Sequence, residues 1–274
     1  MSGDIVLTAG VRSNLLNLQK TADLITSTQT KLATGKRVNT ALDNPINFFT
    51  AQGLTNRAND LANLLDSMST GMSTIQAANN GITSITKLVQ SAQALASQAQ
   101  QTTDTVVRSG LSVQFDSIMS QIDQLAGDSG FNGINLLDSV NSANLVVTLN
   151  ETGSSSITVI AVDFSANGLA INNSANNWAS TADIAAASID LSAALTSLRS
   201  QAQSFGSNLS TVQIRQDFTK AMINTLQTGA DGLTLADSNE EGANLLALQT
   251  RQQLSTTALS LASQASQAVL RLFQ

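Results

Sequence analysis

The stretch LANLLDSMSTGMSTIQAANNGITSITKLVQSAQALA, Leu61–Ala96, repeats apolar or small residues at alternating steps of four and three. Its seam is Leu61, Leu65, Met68, Met72, Ile75, Asn79, Ile82, Thr86, Val89, Gln93 and Ala96. That beat is the narrow apolar stripe of a helix that packs lengthwise on another helix. Ile85, Leu88, Ala92 and Leu95 widen it into a bundle-facing surface. Upstream, Asp43-Asn44-Pro45 holds the only proline, and proline at the first helical position after an Asx cap starts a helix. The helix therefore runs from about Pro45 to Gln101, roughly 70–80 Å at about 1.5 Å per residue. Gly71 and Gly81 each cost about 1 kcal/mol in a helix interior. They read either as tolerated glycines or as points of close approach.

Working outward, the same beat marks both ends of the chain. Val11, Leu15, Leu18, Ala22, Ile25 and Leu32 form a stripe over about residues 5–33, and Gly35 stops it. Leu254, Ala258, Leu261, Ala265, Ala268 and Leu272 form another near the C-terminus, after a capping box at Ser238-x-x-Glu241. Such stripes need burial, and each end offers the other a partner. Leu259, Val269, Leu270 and Phe273 lie off the strict seam and call for a second partner.

Between them, Val107, Leu111, Phe115, Ile118, Ile122 and Leu125 define a helix over about 104–126. Leu145–Leu149 and Ser156–Asp163, around a turn at Asn150–Ser155, read as a β-hairpin. Residues up to Ser180 read as loop. From Ile184 the beat resumes through Leu191, Leu195, Leu198, Phe205, Leu209, Val212, Ile223 and Leu226, with Gly229 and Gly232 weakening its end near 235. Asn79, Thr86, Gln93, Gln216 and Thr219 occupy seam positions, as mild packing defects or as register control. The chain is mainly α: a long antiparallel helical bundle or coiled coil with a small β-hairpin in the middle. The expected bundle core is Leu65, Met68, Met72, Ile75, Ile82, Val89, Ile118, Ile122, Leu195, Leu198, Phe205, Leu209, Val212, Ile223 and Leu226. Two linkers at similar distances from the ends divide a folded-back rod into residues 1–44 plus 229–274, a terminal helix pair, and residues 45–228, a central bundle with its hairpin at about 145–163.

Composition narrows the chemistry. The 274 residues contain no Cys, no His and no Tyr, so thiolate sites, the commonest metal ligand and the commonest general base are absent. Net charge is −6 with 13 dispersed basic residues, which gives no nucleic-acid patch. No apolar run nears the roughly 18 residues of a membrane span, and the N-terminus lacks the regions of a cleavable signal peptide. With no phosphate loop either, an enzyme is not expected, and no cofactor or metal. Charged residues make up 12%, against about 25% in ordinary globular proteins. A helical rod so poor in charge is poorly protected from association.

Four motifs in order resemble bacterial flagellin. Leu32-Ala33-Thr34-Gly35-Lys36-Arg37-Val38-Asn39-Thr40-Ala41-Leu42-Asp43-Asn44-Pro45 is similar to the family's LSSGxRIxxAxDDPA stretch. Asn79-Asn80-Gly81-Ile82 with Gln93–Ala99 resembles its NDGI and REL-A-QA region. Phe131-Asn132-Gly133-Ile134-Asn135-Leu136-Leu137 resembles FNGxxLL, and Gln264–Phe273 resembles the QAPQxVLSLF terminus. Ser266 and Arg271 stand where the family often has Pro and Ser. Ser91-Ala92-Gln93-Ala94-Leu95 lacks the usual Arg and Glu of a region that an innate immune receptor reads in many flagellins.

The resemblance implies a subunit that polymerises into the flagellar filament for motility. Its terminal helices would form an inner tube, packed through Val11, Leu15, Leu18, Ile25, Leu32, Leu254, Leu261, Val269, Leu272 and Phe273. Residues 34–44 and about 229–240 would be spokes to an outer shell. The resemblance also implies export through the flagellar secretion apparatus without a cleaved signal peptide, and an extracellular location. Partners would be copies of itself, an export chaperone, the filament cap and hook–filament junction proteins, with no nucleic acid and no membrane insertion. Ser155, Ser165 and Ser174 read as plain loop, or as sites of the O-glycosylation known in the family. A hook–filament junction protein is the alternative, since that family shares the STGKRxxxxxDDP stretch. The Phe131–Leu137 motif and the short middle favour flagellin.

Overall fold

The computed structural model describes residues 9–272, without the side chains of Ala9, Ser266 and residues 269–272. In chain order the elements are α1 (Ala9–Thr34), α2 (Pro45–Gln101), α3 (Thr105–Asp128), β1 (Leu145–Thr148), β2 (Ser156–Val159), a short 3-10 turn (Ala175–Trp178), α4 (Thr181–Thr234) and α5 (Ser238–Leu272). The expected order of helices and hairpin holds. Two compact units are present: residues 57–224, and residues 1–56 with 225–274. Their boundaries fall inside α2 and α4.

The unit of residues 57–224 holds the large core. Along α2 the buried residues are Met68, Ile75, Ala78, Ile82, Ile85, Val89, Ala92, Ala96 and Ala99, with Leu65 and Met72 packed at the edge. From α4 come Ile184, Leu191, Leu195, Leu198, Phe205 and Val212, with Leu209 at the edge. Ile223 is half-buried, and Leu226, in the other unit, is buried. On α3 the buried face is Leu111, Phe115, Met119, Ile122 and Ala126. The expected face was turned slightly: Val107 is exposed, and Ile118 and Leu125 lie at the margin. Arg108 takes the inner position in that turn.

Arg108 explains how three helix ends meet. It is buried, and its guanidinium donates to the Ala99 and Thr102 carbonyls at 3.1 and 2.7 Å, to the Ala179 carbonyl at 3.3 Å and to Thr181 Oγ1 at 3.2 Å. The last carbonyls of a helix lack intrahelical partners and carry the negative end of its dipole. A fixed cation with five donors satisfies them at the end of α2 and joins that end to the start of α4. Asp104 caps α3 by accepting from the Val106 and Val107 N–H groups.

The segment after the hairpin, read as loop, is part of the core: Phe164, Leu169, Ile171 and Trp178 are buried, as are Leu136 and Leu137 ahead of the hairpin. Trp178 packs against Phe115 with ring centroids 4.9 Å apart and the ring planes tilted by 54°. Asn176, Asn177 and Trp178 all have positive φ, so the turn that delivers the indole is left-handed. Such a conformation costs L-residues roughly 1–2 kcal/mol each, least for Asn. The hairpin is shorter than expected. Leu145–Thr148 pairs antiparallel with Ser156–Val159, with Leu145 opposite Val159. Val162 and Phe164 instead donate to the Leu136 and Leu137 carbonyls, at 2.9 and 3.0 Å.

Both interior glycines of α2 are points of close approach. A Cβ on Gly71 would lie 2.6 Å from Val147 Cγ2 of β1. A Cβ on Gly81 would lie 2.6 Å from Leu137 Cδ1 and would also collide with Ser129 Oγ. Glycine lets the hairpin and the end of α3 settle against the helix backbone.

Candidate functional site

The unit of residues 1–56 with 225–274 is built from the two ends of the chain. α1 stops where Gly35 turns left-handed, φ +67°. The Gly35 carbonyl then accepts from the Ala236 N–H at 2.9 Å, and the Thr234 carbonyl accepts from Arg37 and Val38, at 2.8 and 3.3 Å. Lys36 and Leu235 form an antiparallel bridge. The two linkers thus run side by side as a backbone clasp. α4 passes through Gly229 and Gly232 to Thr234, which leaves residues 235–237 as the second linker, shorter than the 229–240 expected.

The first linker folds on itself. Asp43 Oδ2 accepts from the N–H groups of Asn39 and Thr40 at 3.0 and 2.9 Å, and from the Thr40 hydroxyl. The Thr40 N–H, then that of Asn39, holds the Asp43 carboxyl below its ordinary range. Asp43 therefore caps a turn, while its neighbour Asn44 caps α2 by accepting from the Asn47 N–H at 3.0 Å. At α5 the cap differs from the capping box expected at Ser238. Asp237 accepts from Asn239 and Glu240 N–H groups at 2.8 and 3.3 Å. A carboxylate at a helix start gains from the dipole beyond what a hydroxyl offers. That frees Glu241, whose carboxylate meets Lys31 Nζ of α1 at 3.1 Å.

α1 and α5 pack against each other along their length. On α1 the inward residues are Val11, Leu18, Ala22, Ile25 and Leu32, half-buried, together with Thr21 and Thr28, fully buried. Leu15, expected among them, is 39% exposed. On α5 the inward face is Glu241, Leu245, Leu248, Gln252, Ser255, Leu259 and Ala262. This corrects the C-terminal stripe within a single chain. Leu254 and Leu261 point away from α1, 67% and 61% exposed, and Leu246 joins them. A helix turns about 100° per residue, so Leu246, Leu254 and Leu261 share a stripe about 80° wide, nearly opposite Leu245, Leu248 and Leu259. The helix has two apolar stripes, and one partner covers only one. Leu16 and Leu24 of α1 are likewise exposed. Val269, Leu272 and Phe273 have side chains outside the described residues.

Of the three serines, Ser165 Oγ accepts from the Gly168 N–H at 3.1 Å, and Ser174 Oγ donates to Asp116 at 2.8 Å. Ser155 is half-buried at the foot of the hairpin turn. No helix of the described residues is long and apolar enough to cross a membrane.

Residues 8–142 match the bacterial flagellin N-terminal helical region, and residues 188–273 match the C-terminal helical region. Flagellin FljK of Caulobacter vibrioides is 31% identical over 97% of both chains. The chain belongs to the bacterial flagellin family. Flagellin FljO of the same organism is 30% identical over 97% of both chains, and a Brucella melitensis flagellin is 27% identical over 98% of this chain and 99% of its own. The crystal structure of Bacillus cereus flagellin aligns over 55% of this chain and 86% of its own at a TM-score of 0.49 and 21% identity. As a flagellin the chain is a structural subunit of the extracellular flagellar filament, and it assembles with copies of itself. Nothing in these matches favours the junction-protein reading. The stretch between the two matched regions, residues 143–187, holds the hairpin and the left-handed turn at Trp178.

Proposed function

We propose that the outward stripes of the terminal helices are the seams through which this flagellin polymerises. In this reading residues 1–44 plus 229–274 form the inner tube and its spokes, and residues 45–228 the shell around it. The carrying observation is the pair of opposed apolar stripes on α5, one occupied by α1 and the other, Leu246, Leu254 and Leu261, exposed. Exposed leucines repeated along one helix face, on a chain short of charge, are an interface awaiting a partner. Leu15, Leu16 and Leu24 would supply the outward side of α1, Val11, Leu18, Ile25 and Leu32 would hold its inward pairing with α5, and Val269, Leu272 and Phe273 would complete the end of α5. The subunit would leave the cell through the flagellar secretion apparatus without a cleaved signal peptide. An export chaperone would cover the same stripes, and the filament cap and junction proteins would meet the ends of the polymer. The chain would carry no catalytic activity.

Helix pairs that bury one stripe each are marginal, because most helical stability comes from tertiary packing. The terminal pair is therefore expected to gain order on assembly. Circular dichroism of monomer and polymer at equal concentration checks this: mean helicity should rise on polymerisation. Equal helicity, with the termini equally resistant to protease in both states, would overturn the reading.

A further inference from the structure

The sequence contains three Asn-Gly pairs with nearly the same following residue: Asn80-Gly81-Ile82, Asn132-Gly133-Ile134 and Asn167-Gly168-Leu169. We propose that the fold makes Asn132 a site of spontaneous deamidation and isoaspartate formation, and shields the other two. The chemistry is set by the backbone. The Gly133 nitrogen attacks Asn132 Cγ, a C–N bond forms, the Cγ–Nδ2 bond breaks, and the proton from Gly133 nitrogen leaves with ammonia. Water then opens the five-membered imide at either carbonyl, giving aspartate or isoaspartate. The step needs a following residue without Cβ, an N–H not held elsewhere, and freedom to rotate the Asn–Gly peptide.

Of the three pairs, only the second leaves its glycine N–H without an acceptor among the described residues and the space around that glycine open. Phe131 and Ile134 exchange backbone hydrogen bonds at 2.8 and 3.0 Å, so Asn132 and Gly133 are the two corner residues of a tight hairpin turn. Their φ values are +49° and +80°. Both residues are exposed, and nothing lies within 4 Å of a Cβ built on Gly133. Among the described residues no acceptor holds the Gly133 N–H. By contrast, Gly81 is buried in mid-α2 with its N–H in the helical ladder, packed under Ser129 and Leu137. Gly168 donates to Ser165 Oγ at 3.1 Å and lies hard against Asp163.

The modification has a local consequence. Isoaspartate inserts one extra carbon into the main chain of a two-residue turn and adds one negative charge. Two residues on, the Asn135 side chain donates to the Ala126 and Gly127 carbonyls at 2.7 and 2.9 Å and closes the end of α3. Lengthening the turn pulls Ile134 away from Phe131 and loosens that closure.

The test is peptide mapping by mass spectrometry of the full chain after incubation at mildly alkaline pH, once folded and once in urea. In the folded chain Asn132 should gain one mass unit at least about tenfold faster than Asn80 or Asn167, the factor that about 1.4 kcal/mol of local opening imposes. In urea the three rates should converge, because their local sequences match. Asn132→Ser should abolish the first signal and leave the other two unchanged. Asn80 or Asn167 reacting as fast as Asn132 in the folded chain, or Asn132 staying intact until urea is added, overturns the proposal.

Discussion

Two glycines of this flagellin show how little a residue type says without its surroundings. Gly81 and Gly206 both sit inside long helices, where alanine is favoured over glycine by about 1 kcal/mol. Around Gly206 a Cβ would meet nothing within 4 Å, whereas at Gly81 it would collide with Ser129 and Leu137. Overpacking a tight contact costs about 1–3 kcal/mol, enough to exceed the helical gain. Gly206→Ala should therefore raise the urea midpoint and Gly81→Ala should lower it, at similar m-values. Asp43 carries a different test. Its folded pKa lies below the ordinary carboxylate value, so its stabilisation of the linker turn is complete above about pH 4 and is lost as pH falls through the folded pKa. Amide exchange at Asn39 and Thr40 should accelerate in that acidic window, and Asp43→Asn should remove the pH dependence.

At the scale of elements, α5 shows what periodicity can and cannot decide. A four-three beat through Leu254 and Leu261 is real, yet so is one through Leu245, Leu248 and Leu259, and only packing says which faces α1. Sequence reading chose the stripe richer in small residues near the terminus, and the chain buries the other. The positions of α2, α3 and α4 were readable because long apolar repeats admit one secondary structure. Gly71 and Gly81 could not be resolved from sequence, since close approach depends on β1 and on Leu137, distant in the chain. The core role of residues 164–178 was hidden for a similar reason. Phe164, Leu169, Ile171 and Trp178 are spaced without period, held by irregular turns. Arg108 offered no signal at all, because an arginine facing carbonyls looks in sequence like any exposed arginine. The start of α5 gives a direct comparison of caps. Asp237→Ala should lower the stability of the terminal pair by about 1 kcal/mol, and Ser238→Ala by much less. Thermal melts followed at residues of α5 would separate the two.

For the whole molecule, the proposed assembly surface separates folding from polymerisation. Leu261 is exposed, so Leu261→Asp should leave the melting of the isolated subunit unchanged within about 0.5 kcal/mol while abolishing filaments under the electron microscope. Leu259→Asp, on the face toward α1, should weaken the terminal pair in the monomer as well. Normal filaments from Leu261→Asp would sink the inner-tube assignment. The clasp between the linkers bears on timing. Lys31 meets Glu241 across 210 residues, and Gly35 meets Ala236 across nearly as many. Loop closure adds only about 0.6 kcal/mol per doubling of length, so the difference comes from burial: the terminal helices bury one stripe each, while the unit of residues 57–224 holds the large core. The terminal pair is then the last part of a lone subunit to form and the first to open. Neither end can find its intramolecular partner until the other is present, so this joint cannot close on a chain that is only partly there.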